Sequence, residues 1–543
     1  MSSSERAWWK DAIFYQIYPR SFQDTNGDGL GDIAGIISRL DALVKLGVTA
    51  LWLSPLYPSP DADNGYDISN YCDIDPKFGT LADFDRLVSE AGARGIRIIL
   101  DLVINHTSDE HPWFQASRRR EAPYDDYYIW RPGKAGGKPP NNWTGFFMGT
   151  TWQWDDVRGE YYLHLFDPKQ PDLNYHNPAV IAEVEKVMNF WLDRGVAGFR
   201  CDVITMLYKT SLQDGHGFPI LRGLENYKTQ EGNHEILRQW HRDVWGPRGA
   251  FTVGEAGMVT LEEARDLSQP NRGELDLIFY FDHLEVDRLV SRYGPKPFKA
   301  SELLRRFTSW QQGLDWNAVY FENHDQPRIV SHYGDDEHYW AMSAKLLAVL
   351  LLTLRGTPFI YQGQEIGMTN AGFASLDQLD DVESHNVDGL LKSFHLPKRA
   401  RWWIIRESSR DNARTPVQWS AGPGAGFTTG KAWLRANSNA DWLNYDAQDD
   451  DPDSVLNFYR RVIDWRGNCQ PIMQGDFQPV YSDRAVLSYR RTTSDGQACT
   501  VWLNMSGKLR RPKGLGAGEI LLSNSGRTQL DGTLQPWEAL VLG

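Results

Sequence analysis

The chain has 543 residues, too many for one hydrophobic core, so two or three domains are expected. Hydrophobic residues make up 41% and charged residues 24%, as in an ordinary globular chain rather than a disordered or membrane-embedded one. A net charge of −14 with no basic run argues against nucleic acid or a phosphate-rich partner.

The four cysteines, Cys72, Cys201, Cys469 and Cys499, stand far apart with no CxxC pair, so neither a zinc site nor a disulfide framework is indicated. The polar start leads straight into Ala7-Trp-Trp-Lys10 without a signal-peptide pattern. The most apolar run, 346–354, is too short for a bilayer. A cytoplasmic protein with no membrane partner is expected, as monomer or homo-oligomer. The 22 Trp suit a carbohydrate pocket, although ordinary packing accounts for most of these rings.

In chain order, Ala12-Ile-Phe-Tyr-Gln-Ile-Tyr-Pro19 reads as the first strand. Asp24-Thr-Asn-Gly-Asp-Gly-Leu-Gly-Asp32 follows, with oxygen side chains at Asp24, Asn26, Asp28 and Asp32 and the Leu30 carbonyl at position 7. This is the first part of an EF-hand-type loop, without its position-12 glutamate, since Gly35 stands there. It predicts a structural divalent metal, Ca2+ or Mg2+. Residues 33–46 have helical periodicity. Strands are expected at 48–55 and 96–103, with a helix at 81–95 between them, the pattern of a parallel sheet.

From 107 to 175 the rhythm breaks into a Trp-, Tyr-, Gly- and Pro-rich stretch, too long for a structureless loop. It reads as a small inserted subdomain over the site. A helix at 178–194 leads to the strand Ala197-Gly-Phe-Arg-Cys-Asp-Val-Ile204. A long helical insertion follows, then strands at 251–256, 275–281, 316–325 and 357–363, with a helix at about 337–354 before the last. Eight strands alternating with helices predict an α/β fold, a (β/α)8 TIM barrel with its site at the C-terminal strand ends. His106, Asp202, Glu255, His324 and Asp325 all fall at such ends. The segment 371–425 reads as loop-rich, and 455–466 as the last barrel helix. Short alternating segments beyond 475 predict a C-terminal antiparallel β domain. The domains are therefore the barrel (1–106 and 176–470), the insert (107–175) and a C-terminal β-sandwich (471–543).

Arg200 and Asp202 lie two apart, on one side of their strand. An arginine beside a carboxylate holds it ionised, which suits a nucleophile. A structural ion pair is the alternative. Glu255 lies in an apolar strand with no basic neighbour in sequence, so desolvation is expected to keep it protonated as a general acid. Asp325 adds a third carboxylate, suited to stabilising an oxocarbenium ion. His106 and His324 read as ligands of substrate hydroxyls. No third His, Cys or carboxylate stands at zinc-ligand spacing.

Asp101-Leu-Val-Ile-Asn-His106, Gly198-Phe-Arg-Cys-Asp202, Gly254-Glu255 and Glu322-Asn-His-Asp325 appear in order, each at a strand end. With them the chain resembles the α-amylase superfamily, glycoside hydrolase family 13, over nearly its whole length. Within it, it is similar to the oligo-1,6-glucosidase and α-glucosidase subgroup. The resemblance implies an exo-acting retaining α-glucosidase for short oligosaccharides of the isomaltose, maltose and sucrose class. It implies Asp202 as nucleophile, Glu255 as acid and then base, and Asp325 as transition-state stabiliser. His106, Arg200 and His324 would bind the reacting sugar. Asp63 and Tyr66 would close the pocket on a terminal glucose, with Arg410 opposite Asp63. Phe147 and Phe166 would supply an aromatic lining, with Phe146 the alternative to Phe147.

Val203, after the nucleophile, goes in that subgroup with α-1,6 acceptance, and Gln170-Pro-Asp-Leu-Asn174 matches its motif form. Cys201 and Ala256 depart from the subgroup, leaving the acceptor open; Cys201 reads as a small, buried and inert thiol, with sensitivity to thiol reagents beside the nucleophile as the alternative. A sucrose isomerase or transglycosylase is the alternative within the frame. The arginine-rich loop of the isomerases is replaced by Gln326-Pro-Arg-Ile. No basic cluster marks the phosphate site of a trehalose-6-phosphate hydrolase. A non-enzymatic relative would usually have lost the carboxylates.

Overall fold

A computed structural model describes residues 6–217, 220–290, 292–516 and 518–543. The polar residues 1–5, read as lacking a signal pattern, lie outside the described residues.

The eight barrel strands, here β1 to β8, are Phe14–Ile17, Ala50–Leu53, Arg97–Leu102, Gly198–Cys201, Phe251–Glu255, Leu277–Phe279, Ala318–Val319 and Thr357–Tyr361. Their order is β7-β8-β1-β2-β3-β4-β5-β6, and every pairing is parallel. Helices such as Leu81–Ala93, Pro178–Asp193 and Trp340–Thr353 connect them. This is the expected α/β barrel, buried on both faces of its strands.

β7 keeps only two of the residues read as strand between 316 and 325. Side chains replace the ladder there. His283 Nε2 bonds the Tyr320 carbonyl at 2.7 Å, and the Tyr320 hydroxyl donates to the Tyr280 carbonyl at 2.9 Å. The Phe279 and Tyr320 rings, 4.9 Å apart, fill the β6–β7 gap. The interior is closed by Phe14 on Phe359 at 4.5 Å, with Phe251 and Phe279 edging in at 5.1 and 4.8 Å. At Gly198 a Cβ would sit 2.0 Å from the Phe251 carbonyl oxygen, so β4 and β5 approach this closely only over glycine.

Three sequence readings are corrected. The helix read over 33–46 breaks at Arg39 (φ −105°, ψ 2°) into Ile33–Ser38 and Leu40–Leu46, and the Arg39 guanidinium lies 4.1 Å from the Trp419 ring. The stretch 371–425, read as loop-rich, contains helices Val382–Ser393 and Lys398–Arg406. Asp381 caps the first by accepting from Glu383 N, and Val387 and Ile405 bury its apolar stripe. The C-terminal region, read as a sandwich, has one five-stranded antiparallel sheet among the described residues: Asp476–Ser482, Val486–Thr492, Ala498–Asn504, Ala539–Leu542 and Ile520–Ser523, in that spatial order. Leu487, Tyr489, Val501 and Val541 of one face join the barrel core, while Trp502, Leu540 and Leu542 are covered by Leu534 and its neighbours. Barrel helices thus do the work of a second sheet.

The insert folds as a helix, Pro112–Arg118, and a small antiparallel sheet ordered Trp130–Arg131, Glu160–Leu163, Trp152–Asp155. Its loops carry Phe146, Phe147 and Phe166 to the barrel mouth.

Candidate active site

β4 and β5 deliver their carboxylates to the same end of the barrel. Asp202 follows β4 directly and Glu255 ends β5. Val203 sits in a left-handed conformation (φ 35°, ψ 39°), unusual for a β-branched side chain. Such strain costs on the order of 1–3 kcal/mol and collects at functional turns.

Arg200 is fully buried and serves three carboxylates. Its Nη1 donates to Asp202 Oδ1 at 2.6 Å and to Asp101 Oδ1 at 2.7 Å, and its Nη2 donates to Glu255 Oε2 at 2.6 Å. The absence of a basic neighbour for Glu255 in sequence is therefore corrected in space: Arg200, from the adjacent strand, stands against it. Three carboxylates around one guanidinium leave excess negative charge. Burial, then the nearby Glu255 and Asp101 carboxylates, push Asp202 up against the pull of Arg200. Asp101 is likewise raised by burial, to about 6. Asp101 and Asp202, bridged by one guanidinium, titrate together rather than singly.

Asp101 is a site residue that the motif contained without a role being assigned. It accepts from Arg200, the Tyr66 hydroxyl (2.9 Å) and Trp52 Nε1 (3.2 Å). A charge on so apolar a strand was its signal.

A second buried arginine forms a matching hub. Arg410 Nη2 lies 3.1 Å from Asp63, Nε 2.7 Å from Asp381 and Nη1 3.5 Å from Asp325. Arg414 Nη2 also meets Asp325 Oδ1, at 2.6 Å. Burial would raise Asp325, but His324, Arg410, Arg414 and Arg292 outweigh it and hold this carboxylate well below its usual range. For Asp63 burial wins, and its carboxyl is raised to about 6.

His106 and His324 are both buried, and desolvation lowers them to about 4 and about 3, so they are neutral donors or acceptors at pH 7. His324 stacks on Tyr66 at 5.0 Å and bonds Gln16 through Nδ1 at 2.9 Å. Gln170 Nε2 joins His106 (3.2 Å) to Asp63 (3.3 Å). Phe166 lies 5.2 Å from the His106 ring and stacks on Phe146 at 4.9 Å, while Phe147 faces the Arg410 guanidinium at 5.3 Å. Cys201 is fully buried, and burial pushes its thiol up. That agrees with the reading of a buried, inert thiol and not with reagent sensitivity, because the thiolate is the reactive form.

One cavity of about 720 Å³ is lined by Asp63, Tyr66, His106, Phe147, Phe166, Asp202, Glu255, Asp325 and Arg410. Arg200 and His324 stand just behind that surface, bonded to its carboxylates.

The metal-loop residues lie apart from this cavity. Asp24 accepts from Asn26 N, Gly27 N and Gly29 N, and from Thr428 Oγ1. Asp28 accepts from Leu30 N, and Asp32 accepts from Thr25 N and caps the helix from Ile33. Among the described residues no three His, Cys, Asp or Glu side chains stand together as a ready ligand set. The donors present are all hard oxygens, the chemistry that suits Ca2+ or Mg2+.

Residues 16–475 match the alpha-amylase catalytic domain. The chain belongs to the alpha-amylase family. Its members among curated proteins include the oligo-1,6-glucosidase of Parageobacillus thermoglucosidasius, 44% identical over 99% of both chains. The trehalose-6-phosphate hydrolase of Escherichia coli K12 is 45% identical over 93% of this chain and 92% of its own. Among solved structures, the trehalulose synthase MutB of Pseudomonas mesoacidophila MX-45 superposes with a TM-score of 0.94 at 39% identity, covering 99% of each chain. As a member of this family the chain is a glycoside hydrolase. Among its described residues no helix is long and apolar enough to cross a membrane.

Proposed function

We propose that this chain is an exo-acting, retaining α-glucosidase that releases glucose from short α-glucosides, with α-1,6 bonds accepted. The observation that carries this is the pairing of Asp202 and Glu255, each 2.6 Å from a different terminal nitrogen of Arg200, on the wall of one cavity. Asp202 attacks the anomeric carbon while Glu255 gives its proton to the leaving oxygen. A water, deprotonated by Glu255, then attacks the glucosyl–Asp202 ester and restores both groups. General-acid catalysis requires that proton to stand on Glu255 before the leaving oxygen departs. Asp325, held ionised by Arg414 and Arg410, faces the positive charge that develops on the ring. His106 and His324, both neutral, bind hydroxyls.

Exo action is supported by the buried Asp63–Arg410 pair, which lines the cavity where a sugar beyond the reacting glucose would have to pass. Arg288, Arg292 and Arg410, the arginines lining the cavity, each pair with a carboxylate, which favours a neutral acceptor over a phosphorylated one. The relatives named oligo-1,6-glucosidase and the valine at position 203 support α-1,6 acceptance. Four free thiols suit a reducing cytoplasm. We assign the Asp24–Asp32 loop a structural Ca2+ or Mg2+, held by Asp24, Asn26, Asp28, Asp32 and the Leu30 carbonyl. It would pin this loop to the segment from Phe427 to Trp433, which already bonds Asp24 N and Gly29 O. The metal takes no part in the chemistry.

Chromatography of isomaltose, maltose and sucrose digests, with Asp202→Ala as control, tests the reading. Glucose as the main product, fastest from isomaltose, is expected. Sucrose isomers or longer oligosaccharides as main products would move the assignment to an isomerase or a transglycosylase, a reading to which the likeness to a trehalulose synthase lends support.

A further inference from the structure

Away from the catalytic cavity, two nucleophilic side chains meet at the joint between the barrel and the C-terminal sheet. Cys469 lies at the turn between the last barrel helix, Val455–Asn468, and the short helix Gln470–Gln474. Cys499 lies on the strand Ala498–Asn504, opposite Arg491 of the neighbouring strand. The two thiols are in hydrogen-bond contact, and the Cys469 sulfur also accepts from the Ile472 amide. They are not joined in a disulfide. Cys469 is half-buried, so solvent reaches it, whereas Cys499 is 1% exposed.

The charge around this pair is one-sided. Arg466 and Arg491 are both buried, and both donate to main-chain carbonyls rather than to a carboxylate. Arg466 bonds the carbonyls of Leu352 and Gly356, and Arg491 those of Thr353, Ile472 and Gly475. Burial pulls the two guanidiniums down to about 10 and about 9, and the charge of Arg466 lowers Arg491 further. A thiolate at Cys469 is the anion that this corner lacks. The Cys499 S–H holds the Cys469 thiol down to about 7 against its burial, with help from the Ile472 N–H, Arg491 and Arg466. Cys499 is raised by the same hydrogen bond and by burial. One sulfur is thus an accessible nucleophile, and the other is a protonated thiol in contact with it. Thiol–disulfide exchange needs that arrangement of an attacking and a resolving cysteine.

We propose that Cys469 and Cys499 form a redox modification site, where a small disulfide of the glutathione class oxidises the pair to a cross-link between the last barrel helix and the C-terminal sheet. The Cys469 thiolate attacks one sulfur of the small disulfide. Its S–S bond breaks, and the first small thiolate leaves and takes a proton from water. The Cys499 sulfur then attacks Cys469 Sγ, and its proton passes to the second small thiolate as that departs. Two protein thiols lose two electrons to form one disulfide, and the small disulfide is reduced to two thiols. Excess small thiol runs the sequence backwards. The bridge closes the chain between 469 and 499 and so restricts the unfolded chain more than the folded one.

The test exposes the native enzyme to oxidised glutathione at neutral pH and maps its peptides without reduction. A Cys469–Cys499 linked peptide is expected as the main product, with two of the four thiols lost first. Cys72 is also half-buried, but burial raises its thiol. Cys469 should therefore react about tenfold faster, its larger thiolate fraction being partly offset by lower intrinsic nucleophilicity. The linked form should melt about 2–4 °C higher, and dithiothreitol should reverse the shift. In Cys499→Ala the Cys469 sulfur should stop at the mixed disulfide, with no such gain. A native enzyme whose Cys469 stays unmodified, or stops at the mixed disulfide, would overturn the proposal. So would a reaction at Cys469 no faster than at Cys72. A linked form that melts no higher would overturn the stapling role. None of these outcomes bears on the α-glucosidase reading, since neither cysteine lines the catalytic cavity.

Discussion

Arg410 reaches across 347 residues of chain to hold Asp63 at 3.1 Å. Both side chains are buried, so this pair is a wall and not a surface ornament. Asp63→Ala should lower kcat/KM on isomaltose and maltose about 10- to 100-fold, the loss of one charge-assisted hydrogen bond of about 1.5–3 kcal/mol. Product analysis on a long maltooligosaccharide checks the wall directly. Glucose alone is expected from the native enzyme, and internal cleavage at a comparable rate would sink the exo reading.

Arg200 and Asp202 should respond to mutation in opposite senses. Arg200→Ala leaves three carboxylates, two of them buried, without their cation and should cost about 3–5 kcal/mol of stability. Asp202→Asn removes one of those three charges, so the melting temperature should hold or rise while turnover falls by about 10⁴-fold or more. Calorimetry on both variants decides it. A large loss of stability in Asp202→Asn would mean that the cluster is balanced rather than over-charged.

The pH dependence follows from Asp63 and Asp101, both raised by burial to about 6. As pH falls through 6 each takes up a proton and weakens its bond to Arg410 or Arg200, so kcat/KM should drop there. Stability runs the other way. The folded pKa lies above the unfolded value, so between about 4 and 6 the folded protein binds more protons, and these groups destabilise it as pH rises through that window. Rate and melting profiles from pH 7 to 5 should therefore diverge. Parallel decline of both would point to acid unfolding.

Removal of divalent metal should lower the melting temperature by several degrees while turnover at 25 °C stays within about twofold, because a ligand that binds only the folded state stabilises it by mass action. The Asp24–Asp32 loop touches Thr428, not the carboxylates of the cavity. Chelation that abolished activity without moving the melting temperature would contradict a structural role.

Val203 lines the cavity beside the nucleophile. Val203→Thr should shift the ratio of isomaltose to maltose hydrolysis toward maltose by about tenfold, since such a change in a pocket is worth about 1–3 kcal/mol. An unchanged ratio would place the bond preference elsewhere, with Ala256 the next position to test.

Much of this protein was legible in one dimension. The alternation of apolar runs marks eight strands, because burial on both faces writes itself as a continuous local pattern. Asp202, Glu255 and Asp325 betray themselves as charges at the ends of apolar strands, where only a functional or paired carboxylate survives. The helix Val382–Ser393 was missed because its Asp381 cap and sparse stripe lie among polar residues that look like loop. What only the tertiary structure decided is partnership. That Arg200 serves Glu255 as well as Asp202 depends on β4 lying beside β5, and that Arg410 meets Asp63 depends on closure of the whole barrel. Strand periodicity is set by each residue's own burial, but ion pairs are set by which strand ends become neighbours in space, and no local pattern records that.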